Sequence, residues 1–311
     1  MMRQVRAGAL GVLFVAAALP AAFGAEFEDL LRELDRLHFQ DHHEEVLERL
    51  EHELDSGAFE ATGMNDVERA RLVKRRARAI VAEVELYYHA DELDDRVARE
   101  RLKKAEEYAA EAIALDPDLA GAYFWKGSAK GLRGLIRGVI RALFMASDVR
   151  DLGEAALERD PDHTEAHFLL SQLYDELPGR PLSFGNDARA VSLARRAYDL
   201  HEQDYEAREI KVRYDSVVTG LAERLWSRNW SERRRESRHA RLRADYAQAK
   251  TPIERSYVYE GSLMLKPLSD RDEARLVLKG LLERLEAVEN PSRRQLNDLE
   301  HSRELAGDWG L

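Results

Sequence analysis

Apolar residues recur at intervals of three and four through most of the chain, and strict polar/apolar alternation is almost absent. Leu30, Leu31, Leu34 and Leu37 form one such set. Val46, Leu47, Leu50 and Leu54 form a second, and Ile80, Val81, Val84 and Tyr87 a third, after the basic run 74–78. A period between three and four stacks each set on one face of an α-helix. Beyond Pro20 the prolines fall between these runs, at Pro117, Pro161, Pro178, Pro181, Pro252, Pro267 and Pro291. A proline inside a helix costs about 3 kcal/mol, so these positions mark helix ends. The pattern predicts an all-α chain.

Two segments repeat. Residues 112–118 read AIALDPD and residues 156–162 read ALERDPD. Each closes a run with small residues one helical turn apart: Ala105, Ala109 and Ala112 in the first, Gly153 and Ala156 in the second. Small side chains let two helices approach closely, and the proline, with its fixed φ, ends one helix and starts the turn into the next. A third run carries Ala190, Ala194 and Ala197, with Glu202 where the proline would stand, so a further helix is expected from about residue 205. After each Asp-Pro comes an aromatic-bearing segment: AYFWKG, with Gly127, and AHFLLSQLY, with small Ser171 and aromatic Tyr174. This phasing resembles the tetratricopeptide repeat. The Pro117–Pro161 spacing exceeds the ~34 residues of an ideal repeat by about ten, which assigns insertions to 131–140 and 178–185. The resemblance implies an all-α, tetratricopeptide-like helix-hairpin superhelix, an α-solenoid, with insertions. It would occupy residues 25–225, followed by a C-terminal helical extension, 226–311, packed on the repeats.

The first residues read as a processing signal. Arg3 and Arg6 precede an uncharged run from Ala7 to Leu19; Pro20 breaks it, and Ala22 and Gly24 are small residues suited to a cleavage site. Residues 1–24 are therefore expected to be a signal peptide and the protein periplasmic, with no membrane span after cleavage. Without cysteine there is no lipid attachment point, disulfide, thiolate metal site or cysteine nucleophile.

The chain carries 48 Lys+Arg against 59 Asp+Glu, a net charge of −11. That balance argues against nucleic acid as the main partner. His38 and His42 have the i, i+4 spacing of a metal pair, but residues 39–41 read as a turn and the histidines as structural. The glycines of GLRGLIRG (131–138) lack the Lys-Ser/Thr ending and preceding strand of a nucleotide loop. PGRPLSFG (178–185) is no nucleophile elbow. No acid/base pair or metal set is visible, so the sequence predicts a protein that is not an enzyme and needs no cofactor or metal. The basic stretch 224–243, with Trp226 and Trp230, reads as an amphipathic helix with inward tryptophans and solvated arginines. The candidate binding surface is aromatic and basic: Tyr123, Trp125, Lys126, Arg133, Tyr174 and Phe184. Such residues on first helices of a repeat stack would line its concave face.

AYFWKG, the glycine-containing segment 131–144 read as one lengthened helix, and LPGRPLSFG before the Ala190 run together resemble the T-component family of tripartite ATP-independent periplasmic (TRAP) transporters. The likeness covers roughly residues 70–215. It implies a secreted helical scaffold with a cleft or pore that binds a protein partner, the substrate-binding component of a solute-uptake system, with room for a small or hydrophobic ligand. The alternative is a general interaction protein of cell-envelope assembly without a small ligand.

Overall fold

A computed structural model describes residues 18–55, 63–88, 90–207 and 215–311. Among these, thirteen α-helices follow one another and no strand occurs. They are α1 (Ala18–Phe39), α2 (His43–Asp55), α3 (Asp66–Tyr88), α4 (Asp95–Leu115), α5 (Ala120–Ile136), α6 (Val139–Arg159) and α7 (Thr164–Glu176). Then come α8 (Asp187–Ala207), α9 (Ser216–Arg228), α10 (Glu232–Gln248), α11 (Pro252–Tyr257), α12 (Asp270–Glu286) and α13 (Arg293–Trp309), with a short 3-10 helix, Tyr259–Ser262, after α11. Most of the proposed signal segment, residues 1–17, lies outside the described residues, as does most of the weak repeat segment 205–215.

The two Asp-Pro segments fold alike. Asp116 and Asp160 end α4 and α6 in the same extended conformation, φ/ψ −138/94° and −134/93°. Each backbone N–H still donates into the helix, to Ala112 O and Ala156 O at 2.9 Å. Each aspartate side chain accepts the N–H two residues on, from Asp118 and Asp162, at 3.1 Å. Six residues after each proline a ring pins the turn: Tyr123 Oη donates to Pro117 O at 3.1 Å, and His167 Nε2 lies 3.0 Å from Pro161 O. The same local sequence produces the same turn because every bond in it lies within a few residues.

The predicted small residues are contact points. Ala105, Ala109, Ala112, Ala156, Ala190, Ala194 and Ala197 are all buried. A Cβ on Gly127 would lie 3.3 Å from Leu152 Cβ, and one on Gly153 2.8 Å from Leu170 Cδ2. Each helix from α3 to α9 packs on its neighbour in sequence, and α3, α5, α7 and α9 also touch in succession. The apolar core is accordingly a relay. One cluster joins α1–α5, the next α3–α5, a third α5–α8, and a fourth α8, α9, α12 and α13.

Two expectations need correction. Residues 131–144 do not form one lengthened helix: α5 ends at Ile136, and Gly138, at φ +97°, turns the chain into α6. That backbone conformation suits glycine alone among common residues. The third repeat does not turn at Glu202 either. Without a proline there, α8 continues to Ala207.

The arginine-rich stretch also differs from its reading. Arg224, Arg228 and Arg235 are buried rather than solvated. Arg195, Arg228 and Arg235 face Glu260, Asp270 and Glu273 in a network of equal charge. Arg228 Nε lies 2.8 Å from Asp270 Oδ2, Arg195 Nη2 2.7 Å from Glu273 Oε2, and Arg195 Nε 2.7 Å from Glu260 Oε1. Glu260, at the edge of the 3-10 helix, is fully buried and its pKa is driven down to about 2: its arginine partners outweigh the desolvation that opposes them. Trp226 does pack inward, stacked on Trp309 with ring centroids 4.4 Å apart. The network ties α8 and α9 to α10 and α12.

Candidate ligand-binding cavity

The polar face of α3 runs Lys74, Arg78, Ala82, Glu85, spaced by four, four and three, so it forms one stripe along the helix. Another side of α3 is apolar: Leu72, Val73, Ala77, Ile80, Val81 and Val84 all lie in the interior. The stripe with Lys74, Arg78 and Glu85 faces a cavity. Opposite it, α5 presents Gly121, Phe124, Trp125 and Ser128, and α7 presents Glu165, Phe168, Leu169 and Gln172, again at helical spacing. His38 and Phe39 from the end of α1, Ser216 and Val217 from α9, and Arg294 from α13 complete the walls. The space between them, partly open to solvent, is about 220 Å³. Odd-numbered helices supply nearly all of it; α2, α4 and α6 supply none.

The inner chamber is cationic. Lys74, Arg78 and Arg294 line it, with Glu85 and Glu165 as its acids. Arg78 is already engaged: its Nη2 donates to Asp35 Oδ1 at 2.6 Å, while Arg75 takes Asp35 Oδ2 at 2.7 Å. The two guanidiniums outweigh burial and hold the Asp35 carboxyl far below the usual carboxylate range. Lys74 stands differently. Among the described residues it makes no hydrogen bond and no ion pair. The walls screen its ammonium from bulk water. That desolvation, with the nearby charges of Arg75 and Arg78, pushes its pKa well below the ordinary lysine value, against the opposing pull of Asp35 and Glu165. Its partial exposure opens onto the cavity that it lines.

Local structure holds Lys74 and its neighbours in place. A Cβ on Gly121 would lie 3.4 Å from Lys74 Cδ, so the glycine leaves room for the aliphatic stem. His163 caps α7: its Nδ1 accepts the Ala166 N–H at 3.3 Å. The same Nδ1 lies 3.3 Å from Glu165 Oε2, and Nε2 faces Gly121 beside the Lys74 stem. Phe168 reaches the cavity over Gly220, where a Cβ would stand 2.4 Å from its ring. The chamber thus places the Lys74 amine, which has no hydrogen bond or ion pair among the described residues, and the His163 imidazole among the rings of Phe124, Trp125 and Phe168.

A second, wider chamber of about 960 Å³ continues from the first through the shared residues Glu85, Phe168, Gln172, Ser216 and Arg294. Its walls are acidic, with Asp175, Glu176, Glu223 and Asp298 against Arg224 and His301. Asp298 Oδ2 is buried without a hydrogen-bond partner. Burial is the main cause that lifts the Asp298 carboxyl to about 7.

Of the six residues predicted from sequence, Trp125 lines the cavity. Tyr174 is buried between Phe184 and Tyr257, ring centroids 5.5 and 5.3 Å away. Arg150 covers the Phe184 ring at 4.7 Å. Tyr123 packs under the Arg159 guanidinium. Arg133 pairs with Glu106 at Nη2–Oε2 3.0 Å, and Lys126 is half-buried on α5. Tyr174 and Phe184 therefore come together, and Tyr123 and Trp125 pack against the same apolar cluster, while Lys126 and Arg133 join neither it nor the cavity. Lys74 and Arg78 were legible only as part of a basic run. No sequence signal set them apart from neighbouring Arg71, Arg75 and Arg76, which pair with Glu28, Asp35 and Asp55. His38 and His43, with ring centroids 5.1 Å apart, pack together beside the cavity; His42 is exposed and pairs with Glu45. Among the described residues no group of side chains is arranged to hold a metal ion, and no helix is long and apolar enough to cross a membrane. Comparison of the chain with family models and with curated proteins returns no match.

Proposed function

We propose that this chain is a non-enzymatic helical-repeat binding protein whose inner chamber holds a small organic anion, a carboxylate with an apolar or aromatic body. One observation carries the reading: Lys74 lines an aromatic-walled cavity and makes no hydrogen bond or ion pair among the described residues. An unpaired buried charge is costly, and a bound carboxylate supplies the missing partner. The His163 imidazole stands beside the Lys74 stem, and the rings of Phe124, Trp125 and Phe168 take the apolar body. A space of about 220 Å³ suits a small solute.

The alternation of lining and non-lining helices supports a tetratricopeptide-like superhelix, with α3, α5, α7 and α9 as first helices on the concave side. The likeness to TRAP T-components supports a periplasmic protein that exchanges its solute with the substrate-binding component of an uptake system. A cell-envelope scaffold without a ligand is the alternative, and the ligand-sized cavity speaks against it.

Phenylacetate is a suitable probe. It should raise the melting temperature and change Trp125 fluorescence. Lys74→Met should weaken binding at least tenfold, the equivalent of about 1.4 kcal/mol, while keeping the helical circular dichroism spectrum. Equal binding by Lys74→Met, or no response to any aromatic or short-chain monocarboxylate, would sink the reading.

A further inference from the structure

The α5–α6 turn stands apart from the rest of this acidic protein. From Leu119 to Ser147 the sequence contains no acidic residue and five basic ones: Lys126, Lys130, Arg133, Arg137 and Arg141. The three bases nearer the core of the hairpin are spent or partly covered. Lys130 pairs with Asp148, Arg133 with Glu106, and Lys126 is half-buried. Arg137 and Arg141 are exposed at the turn, and neither makes a hydrogen bond or ion pair among the described residues through its side chain.

Between and beside these arginines sit large apolar side chains that the fold leaves in water. Ile140 is 72% exposed and Phe144 76% exposed; Leu135 and Leu143 are exposed as well. Ile140, Leu143 and Phe144 are spaced three and four, so they share one face at the start of α6. Leu135 lies on the last turn of α5, across the Gly138 turn. Scattered apolar side chains on a surface need no explanation, but a group confined to one hairpin tip and flanked by unpaired arginines does.

We propose that this tip docks on the surface of a bilayer containing anionic lipid. Ile140 and Phe144 enter the acyl boundary, and Arg137 and Arg141 stay at headgroup level against phosphate. Charge decides the occupant. A second copy of the chain, joined tip to tip, would bring Arg137 and Arg141 against their own counterparts. A lipid surface of opposite sign neutralises them and covers the apolar face at once. A few apolar side chains with two charges give reversible, composition-dependent attachment rather than insertion. The net charge of −11 opposes this only weakly, because repulsion from distant carboxylates is screened beyond ~8 Å at physiological salt.

The test uses the full chain and site-specific reporting. Phe144→Trp places a fluorophore at the tip, and its signal over the wild-type background is followed on vesicles with brominated acyl chains. With 30% phosphatidylglycerol in phosphatidylcholine, the added fluorescence should be quenched. Pure phosphatidylcholine should quench it far less, and 0.5 M salt should reverse it. Arg137→Glu with Arg141→Glu should raise the lipid concentration for half-maximal quenching at least tenfold. Ile140→Asp with Phe144→Asp should reduce co-sedimentation with the anionic vesicles by a similar factor, with an unchanged melting temperature. A tip fluorophore that stays unquenched on vesicles to which the protein sediments would overturn the proposal. So would quenching that ignores the arginine reversals. A tip variant that turns a dimer into a monomer in sedimentation velocity, without vesicle binding, would make this face a contact between copies instead.

Discussion

The backbone N–H of Arg294 donates to Asp41 Oδ2 at 3.0 Å across 253 residues of chain. Asp41 sits in the α1–α2 turn and Arg294 in the first turn of α13, so the bond joins the two ends of the described fold. Arg293 adds a second link to Glu92, between α3 and α4, and its guanidinium covers the Tyr87 ring at 4.9 Å. The join matters for the cavity, because Arg294 lines both chambers beside His38 and Phe39 of α1. An open row of helices would leave that side to solvent.

Asp41 is also held at φ +61°, a conformation that most L-residues resist. Asp41→Ala therefore removes a cap on an orphan helix N–H and keeps the backbone cost. Together these should lower stability by about 2 kcal/mol. Hydrogen exchange should quicken first at the N-terminal end of α13, with α5–α8 retaining their protection. Uniform loss of protection across the chain would contradict a local closing role.

Stability should depend on pH through buried groups of opposite slope. Burial holds His43 and His167 at about 4. Between about pH 6.5 and 4 the unfolded chain binds protons that these folded imidazoles refuse, so their contribution to stability is lost as pH falls. Asp298 acts in reverse. Its folded pKa of about 7 lies above the ordinary 3.8, so the folded protein keeps a proton that the unfolded chain releases, and stability is lost as pH rises toward 7. Asp298→Asn removes only that second slope. At pH 8 the variant should be more stable than wild type by on the order of 3 kcal/mol, and near pH 4 the two should converge. Urea titrations at both pH values decide it; a difference independent of pH would contradict the assignment.

Two glycines should respond oppositely to substitution. Gly127 faces Leu152 and Leu169, and a Cβ at this position would stand only 3.3 and 3.4 Å from their side chains. Gly127→Leu, like Ala156→Leu at a fully buried position, should cost about 1–3 kcal/mol through overpacking. Gly280 is exposed in the middle of α12 with open space where a Cβ would go. Gly280→Ala should raise stability by about 0.5–1 kcal/mol, since it narrows the unfolded ensemble without a clash. Thermal melts of the three variants separate the effects.

The sequence by itself determined that the chain is helical and where the Asp-Pro turns end helices. The 3.6-residue period, the proline positions and the Asp-Pro turns all act within one or two turns of chain, and the two turns at Asp116 and Asp160 match bond for bond. The small residues at Ala105, Ala109, Ala112 and Ala156 were legible for the same reason: their size alone states that something packs on them. Tertiary structure decided the rest. Lys74 and Arg78 read only as members of a basic run until α5 and α7 closed over them, and Arg228 and Arg235 read as solvated until Asp270 and Glu273 arrived from about 40 residues away. Gly138 broke a helix whose apolar spacing continued across it, because a positive φ leaves no mark on periodicity. Local pattern reports which face of a helix is apolar. Whether a charged stripe meets water, a partner charge or an enclosed cavity depends on helices brought together over tens to hundreds of residues, and that is where the candidate site of this protein is made.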